Sequence, residues 1–475
     1  MTSRVRAALV GLTGLAGALT GAAASSSAET LNQALSAAYQ YNPRLDAERS
    51  RQRATDEEVP RALSGYRPKI TASGDVQFQN TNVRPDSLSE GKSRPKGYSI
   101  DAVQPIFRGG QTYYGVAEAE ATVRAGRETL RDVEQQVMLD AVTAYVDVIR
   151  DTSIVQAREK NVQVLTKELQ ATKDRFAVGE VTKTDVAQVE ARRAGAVSAL
   201  EQARANLLSR RAIYEKVIGH PPEGLSSPAG YESSLPRSLD EASSYAASQH
   251  PTIIAALYSE EAARNTVDRI RGELLPEVQL EASYTDRFDS NPLTKEAEQT
   301  IVAGRVTMPI YEGGEVYARV RQAKQTHIQR LQEVEQARTE IQALVTSAWS
   351  LLVGAKQQVA SDVAQVQSNQ TALEGVREEE RVGQRTVLDV LDAENELVNS
   401  EVQLTTDRRN VVVAAYTLLQ AMGKLDMANI GATEMVYDPE AHYQDVRRKW
   451  WGVSITDAEG RTTVVEPPAD GGSVK

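Results

Sequence analysis

The chain of 475 residues contains no cysteine. That excludes a disulfide framework, a thiolate metal site and a lipidated amino-terminal Cys. Phenylalanine is nearly absent too: Phe78, Phe107, Phe176 and Phe288 are all there is. A globular chain this long ordinarily buries more aromatic area, whereas long helices packed through Ala, Val and Leu need less. Histidine is also sparse, and His220, His250, His327 and His442 share no ligand spacing. No nucleophile motif or phosphate loop stands out, so the residues offer neither an enzyme's chemistry nor a cofactor site. A net charge of −11 lacks the basic footprint that nucleic acid requires.

The first 28 residues read as a removable signal peptide. Arg4 and Arg6 form a charged start, Ala7 to Thr20 an apolar and small-residue stretch, and Ser26-Ser27-Ala28 a cleavage site. The alternative, a membrane anchor, is disfavoured because the run is too short and too rich in Gly and Ala to span a bilayer. Removal takes away two positive charges and no acid. Export without a lipid anchor leaves the periplasm, the outer membrane or the medium.

The remaining chain says the same thing twice. Pro105-Ile106-Phe107-Arg108-Gly109-Gly110 returns 204 positions later as Pro309-Ile310-Tyr311-Glu312-Gly313-Gly314. Val178-Gly179, Asp185 and Gly219 return at the same offset as Val382-Gly383, Asp389 and Gly423. Upstream, Leu31, Ala34, Pro43 and Pro68 match Leu239, Ala242, Pro251 and Pro276 at an offset of 208. Two repeats follow, 29–236 and 237–423, then a periplasmic segment 424–453 and a flexible, Asp/Glu/Gly/Pro-rich tail 454–475. Trp450 and Trp451 are expected to pack on the outside of the helical body.

Residues 106–220 and 310–438 contain no proline, which marks the sites of very long helices. Leu130, Val133, Val137, Ala141, Tyr145 and Val148 recur every three or four residues. Val334, Ala337, Ile341, Val345, Trp349 and Leu352 occupy the equivalent places. That is a coiled-coil-like seam. The first repeat thus predicts an N-terminal helix, a long helix over 111–174 and a return helix over 184–218. The second predicts a helix, a long helix over 315–380 and a return helix over 387–422. Each half is a helical hairpin whose tip lies at Val178-Gly179 or Val382-Gly383.

Before each long helix the period changes to two. Ile70, Ala72, Gly74, Val76 and Phe78 alternate with polar residues, as do Val278, Leu280, Ala282 and Tyr284, and the return segments behave likewise. Two β-hairpins are expected, at about 68–107 and 276–311, with polar connections over Asn80 to Lys96 and Asp286 to Glu298. Strands of about ten residues with one apolar face fit a membrane barrel; a small soluble sheet is the alternative. In a barrel, Tyr66, Phe107 and Tyr311 form an inner aromatic girdle, with Phe78, Tyr98 and Phe288 nearer the outer rim. Four strands cannot close, and an open edge in lipid leaves backbone groups unpaired. Two copies would give eight strands and three copies twelve, the latter wide enough to begin a lumen. The fold class is therefore α+β: a duplicated strand–long-helix-hairpin unit giving four strands to a trimeric 12-stranded barrel, continued by a long helical barrel.

The Gly-Gly after a Pro-Ile-Phe/Tyr strand end, the two Val-Gly tips and Val387-Leu388-Asp389-Val390-Leu391-Asp392-Ala393 together resemble the TolC-like outer-membrane efflux and secretion proteins. The likeness covers about 29–453. It implies a homotrimeric channel in outer-membrane lipid, extending into the periplasm and docking through a periplasmic adaptor to an inner-membrane ABC exporter or proton-driven pump. It further implies a periplasmic gate at Thr184, Asp185, Glu380, Arg385, Asp389 and Asp392, with adaptor docking at Val178, Gly179, Val382 and Gly383. Glu380 stands where the family often has a Tyr, so a rewired closing network is expected. Asp389 and Asp392 lie three apart on one helix face. Six carboxylates from three copies should raise some of their own pKa values and attract cations, with Arg385 clamping a neighbouring hairpin. The plainer alternative is that Asp185 and Asp389 cap helices. The absent N-terminal Cys and the extension after Gly423 look more like the type I secretion branch, with small-molecule efflux the second reading. A periplasmic coiled-coil adaptor would explain the seam, but neither the full duplication nor the strands.

Overall fold

The computed structural model describes residues 28–82, 91–228, 231–291, 293–430, 436–456 and 462–463. The predicted signal peptide and most of the predicted tail lie outside them. In chain order the elements are α1 (Leu31–Tyr41), α2 (Pro43–Asp56), α3 (Glu58–Leu63), β1 (Lys69–Val76), β2 (Gln79–Thr81), β3 (Gly91–Ser93) and β4 (Lys96–Arg108). Then come α4 (Gln111–Ala177), α5 (Lys183–Ile218), α6 (Leu239–Gln249), α7 (Pro251–Arg271), β5 (Glu277–Asn291) and β6 (Thr294–Thr307). The chain continues with α8 (Glu315–Arg381), α9 (Val387–Ala421), α10 (Met427–Ile430) and α11 (Pro439–Arg447). Two short strands, β7 (Ile455–Thr456) and β8 (Thr462–Thr463), pair antiparallel within the region read as tail.

The two longest helices, α4 and α8, are 67 residues each, on the order of 100 Å at ~1.5 Å per residue. Each packs along its return helix, α5 or α9, and α4 also packs on α9. Neither is a membrane span, because no helix among the described residues is both long and apolar enough to cross one. The seam predicted from the sequence forms the core. Val137, Met138, Ala141, Val142 and Tyr145 of α4 are buried with Tyr214 and Ile218 of α5 and Leu419 of α9. Ile341, Val345, Ala348 and Leu352 of α8 meet Leu418 and Met422 and the α6 residues Ala242 and Ala246.

The helix preceding each β-hairpin is broken in the same place. Pro43 and Pro251 stand at the first helical position, where the missing N–H costs nothing. Asn42 Oδ1 accepts from Arg44 N at 3.0 Å and His250 Nδ1 from Thr252 N at 3.2 Å, capping α2 and α7. The break leaves α2–α3 and α7 running along α4 toward the strands.

The main sheet is antiparallel in the order β1-β4-β5-β6. The pairs Ile70↔Ala102, Ala102↔Ala282 and Ala282↔Val302 put the apolar residues in rows on one face. The other face is a polar ladder. Ser73 and Ser99 hydroxyls lie 2.9 Å apart, Ser99 and Ser283 donate to Asp101 at 2.9 and 2.7 Å, and Arg305 forks onto Glu281 at 2.7 and 2.9 Å. One expectation fails here. Asp286 to Glu298 is not a loop, because pairing continues through Asp286↔Glu298 and Phe288↔Glu296. Polar composition there marks strands leaving the apolar band, not the end of the strands.

The segment after Gly423 is clasped onto the helices. Arg131 holds Asp426 at 3.2 Å, Met427 N donates to Glu134 at 2.9 Å, and Tyr437 N donates to the Tyr39 hydroxyl at 3.0 Å. Farther on, α11 runs toward the strands, with His442 on Asp56 at 3.1 Å and Arg447 on Glu120 at 2.7 Å. Trp450 therefore ends beneath Arg67, 4.7 Å from its ring centre, and Trp451 stays exposed. This corrects the expected packing on the helical body: the chain after α11 brings Trp450 to Arg67 at the strand roots.

Burial raises the Glu134 carboxyl to about 7, with the Met427 N–H opposing and Asp426 adding to the shift. A raised carboxyl binds its proton better folded than unfolded, so the stabilising contribution is complete below about 4.5 and lost as pH rises through about 7. Glu134→Gln should flatten that fall, a slope on the order of 1 kcal/mol per pH unit, in thermal melts taken between pH 4.5 and 7.5. An unchanged slope would refute the assignment.

Candidate functional site

At the end farthest from the sheet, both hairpins turn through the same chemistry. Gly179 and Gly383 sit at φ 81° and 79°, conformations that a side chain resists. Gly179 N donates to Phe176 O and Glu180 N to Arg175 O, both at 3.0 Å. Gly383 N donates to Glu380 O and Gln384 N to Glu379 O, both at 2.8 Å. These are Schellman ends. Val178 and Val382 are left 79% and 69% exposed at the two tips.

Each return helix then starts on a capping box. Thr182 and Thr386 are the N-caps, and Asp185 and Asp389 reach back from the third position. Asp185 Oδ2 accepts from Thr182 N and Oγ1, both at 2.8 Å; Asp389 Oδ2 accepts from Thr386 N at 2.9 Å and Oγ1 at 2.8 Å. These backbone N–H groups hold both carboxyls below the usual range, followed by the threonine hydroxyls. Within one chain Asp389 thus serves as a capping carboxylate, as the plainer alternative had it; the expected rise concerns a ring of three copies. Thr184, on the first turn of α5, is exposed.

The other acidic candidates bridge the two hairpins. Glu380 accepts from Arg175 at 2.8 Å, joining α8 to α4; Arg175 also lies 3.4 Å from Glu180. Asp392 of α9 pairs with Arg192 of α5. Arg385 instead donates to Glu379 at 2.9 Å within its own tip, because the Schellman turn brings residue 385 back over the last turn of α8. Arg385 therefore clamps no other hairpin of the same chain. Behind these pairs Leu165, Leu169, Val189, Val387 and Leu391 form a small apolar core, and Arg377 pairs with the buried Glu394.

Sequence reasoning missed Arg175 and Arg192. A signal was there: the repeat places Glu379 opposite Arg175 and Glu396 opposite Arg192, and a charge reversal between otherwise matched halves marks positions with different partners. At the other end, Tyr66, Phe78, Tyr98, Phe107 and Tyr311 are exposed. Phe288 is half-buried, with Lys96 Nζ 6.0 Å from its ring centre. Tyr284, which the sequence reading did not single out, lies 6.2 Å from Tyr98 between ring centres. Among the described residues no group of three or more His, Cys, Asp or Glu side chains could hold a metal ion.

The fold coincides with that of known proteins. The family model described as "Outer membrane efflux protein" matches residues 34–220 and 242–424. The chain belongs to the outer membrane efflux protein family. It is similar to the outer membrane efflux protein BepC of Brucella suis, 39% identical over 453 residues, covering 92% of this chain and 94% of that one. It is also similar to the outer membrane protein TolC of Escherichia coli, at 24% identity with 86% and 85% covered. The solved Campylobacter jejuni CmeC outer membrane channel superposes with a TM-score of 0.76 at 16% identity, covering 88% of this chain and 89% of that one. The fold is that of the TolC-like channels, in which each chain gives a share of a β-barrel and a share of a helical tunnel. The chain is a non-enzymatic outer-membrane efflux channel that extends into the periplasm.

The capping geometry is directly testable. Thr386→Ala removes the side-chain acceptor for Asp389 N and the hydroxyl donor to its carboxylate, at a cost of about 1 kcal/mol. Amide exchange over 387–391 should accelerate roughly fivefold while the middle of α9 is unaffected; no local acceleration would show that the box does not hold the turn.

Proposed function

We propose that three copies of this chain close a 12-stranded barrel and a coaxial periplasmic tunnel. The tunnel is shut at its hairpin tips until an adaptor, carried by an inner-membrane transporter, engages the exposed Val178 and Val382. The observation that carries this reading is the equality of the two hairpins. Helices of 67 residues from the same Gly-Gly root to the same Val-Gly turn bring both tips to one level, and hairpins of unequal length could not meet at one closed end.

The gate in this reading is a set of exposed and half-buried charges. Arg175–Glu380 and Arg192–Asp392 tie the first hairpin to the second within a chain. Thr184, Asp185 and Arg385 face the neighbouring copies, and Asp389 and Asp392 give six carboxylates around the axis. Exposed pairs are individually weak, so the closed state is shallow enough for docking to open it. In planar bilayers, Glu380→Gln combined with Asp392→Asn should raise single-channel conductance several-fold over wild type. Arg385→Ala should raise it less, since its partner lies in the same tip. Conductance equal to wild type in the double variant would refute the cross-hairpin ties as the closing element. Trivalent cations should block wild type and not Asp389→Asn/Asp392→Asn; equal block would remove the aspartate ring.

For cargo, we infer type I protein secretion with an ABC exporter. Support comes from the long segment after Gly423, clasped onto the helices and reaching the strand roots. The similarity to a protein named for efflux favours a small-molecule pump as second reading. Deleting the gene should empty the culture medium of a secreted protein; raised drug susceptibility with unchanged secretion would decide for the pump.

A further inference from the structure

The duplicated sequence predicts what each sheet edge meets. Within the chain the first repeat contacts the second through β4 and β5, with Arg108 opposite Glu277 and Phe107 opposite Val278. Arg108 Nε lies 3.5 Å from the Glu277 carboxylate, and Gln111 Nε2 donates to the same oxygen at 3.2 Å. Moving β4 forward by 204 gives β6, and moving β5 back by 208 gives β1. The contact of one copy's second repeat with the next copy's first repeat is then fixed residue by residue. Arg108 and Gln111 become Glu312 and Glu315, and Glu277 becomes Lys69. Both signs invert together and the attraction survives. The same shift turns Asp101 opposite Ser283 into Arg305 opposite Asp75, again of opposite charge.

Three features mark this edge as unfinished in a single chain. First, β6 ends at Thr307, whereas β4 continues to Arg108, the equivalent of residue 312. The last residues of β4 are strand because β5 pairs with them. Second, Gly109 packs so closely on Gly272 that an added Cβ would lie 2.1 Å from its carbonyl oxygen. Gly313, with φ 65°, has nothing within 4 Å; the position equivalent to Gly272 is Ser64, on the other edge. Third, Ile310 and Tyr311 are 94% and 80% exposed, against 63% and 47% for Ile106 and Phe107. Lys69, Glu312 and Glu315 are exposed and have no ion-pair partner among the described residues of their own chain.

We propose that β6 of one copy pairs antiparallel with β1 of the next with Glu312 opposite Lys69 and Tyr311 opposite Ile70, and that Glu312 and Glu315 together hold Lys69. This pairing completes residues 308–312 as strand, seats the turn at Ser64 on Gly313, and locks the barrel at its periplasmic rim. It rests on the multi-copy barrel proposed above and supplies its register.

The absence of cysteine makes the test clean. Directly opposed antiparallel residues have Cα atoms about 4.5–5.5 Å apart, within disulfide reach. Lys69→Cys with Glu312→Cys, in full-length protein extracted from the outer membrane and mildly oxidised, should give covalently linked dimer and trimer bands. Lys69→Cys with Met308→Cys, about 10 Å out of register at ~3.4 Å per residue, should give none. Linking through Met308, or a trimer by light scattering that fails to link through Glu312, overturns the register while leaving the trimer intact. A protein that is monomeric in detergent overturns both the register and the assembly. Independently, Lys69→Glu should lower the dissociation temperature of the trimer, and adding Glu312→Lys and Glu315→Lys should restore it. Failure of the full exchange to restore it overturns the lock.

Discussion

In the hydrocarbon of a bilayer a backbone amide has only other backbone to bond with. Each unpaired group costs several kcal/mol, and the rest of this architecture is arranged around that demand. Among the described residues of one chain, β4 and β5 each lie between two strands, whereas β1 and β6 each have one strand neighbour. The apolar faces, aligned by Ile70↔Ala102↔Ala282↔Val302, turn the sheet toward lipid, while the Ser73–Ser99–Asp101–Ser283 ladder gives the other side a wet surface. The same strands feed the long helices through Gly-Gly turns, so the periplasmic tunnel inherits the geometry of the barrel.

Down the tunnel the physics changes from obligatory to adjustable. Near the middle, Asp147 is buried and surrounded by Arg409 at 2.7 Å, Arg150 at 3.3 Å and Arg210 at 3.4 Å. Asp147 is the carboxylate these guanidinium groups share, so it ties α4, α5 and α9 to one another there. At the tips Arg192–Asp392 and Arg385–Glu379 are exposed and screened, while Arg175–Glu380 is half-buried. The turns end in Schellman motifs and capping boxes, and behind them Leu165, Leu169, Val189, Val387 and Leu391 join the two hairpins through an apolar cluster.

The long helices were legible because their causes are local. Freedom from proline, a repeating apolar stripe and a glycine at each end specify a helix wherever the chain goes. The strands were legible where lipid imposes alternation, as from Ile70 to Val76. They were not legible beyond Asp286, where pairing carries polar residues outward as strand. The positions of Tyr284 and the tryptophans were not legible for a related reason: they depend on cross-strand register and on α11 packing against α2, both long-range. Of the gate candidates, Asp185 and Asp389 could be placed at helix starts from sequence, whereas Arg175 and Arg192 needed the two hairpins side by side.

Sequence alone determined the duplication, the equal hairpins, the four strands and the membrane character, because each follows from periodicity or from residues a few positions apart. Only the tertiary structure decided which charges meet. Glu380 found Arg175, Asp392 found Arg192, and Arg385 turned back onto Glu379. The first two pairs depend on distances of a few ångströms between segments some two hundred residues apart, and nothing in the local pattern carries that information until the helices are laid together; the third is set by the turn at Gly383, six residues apart.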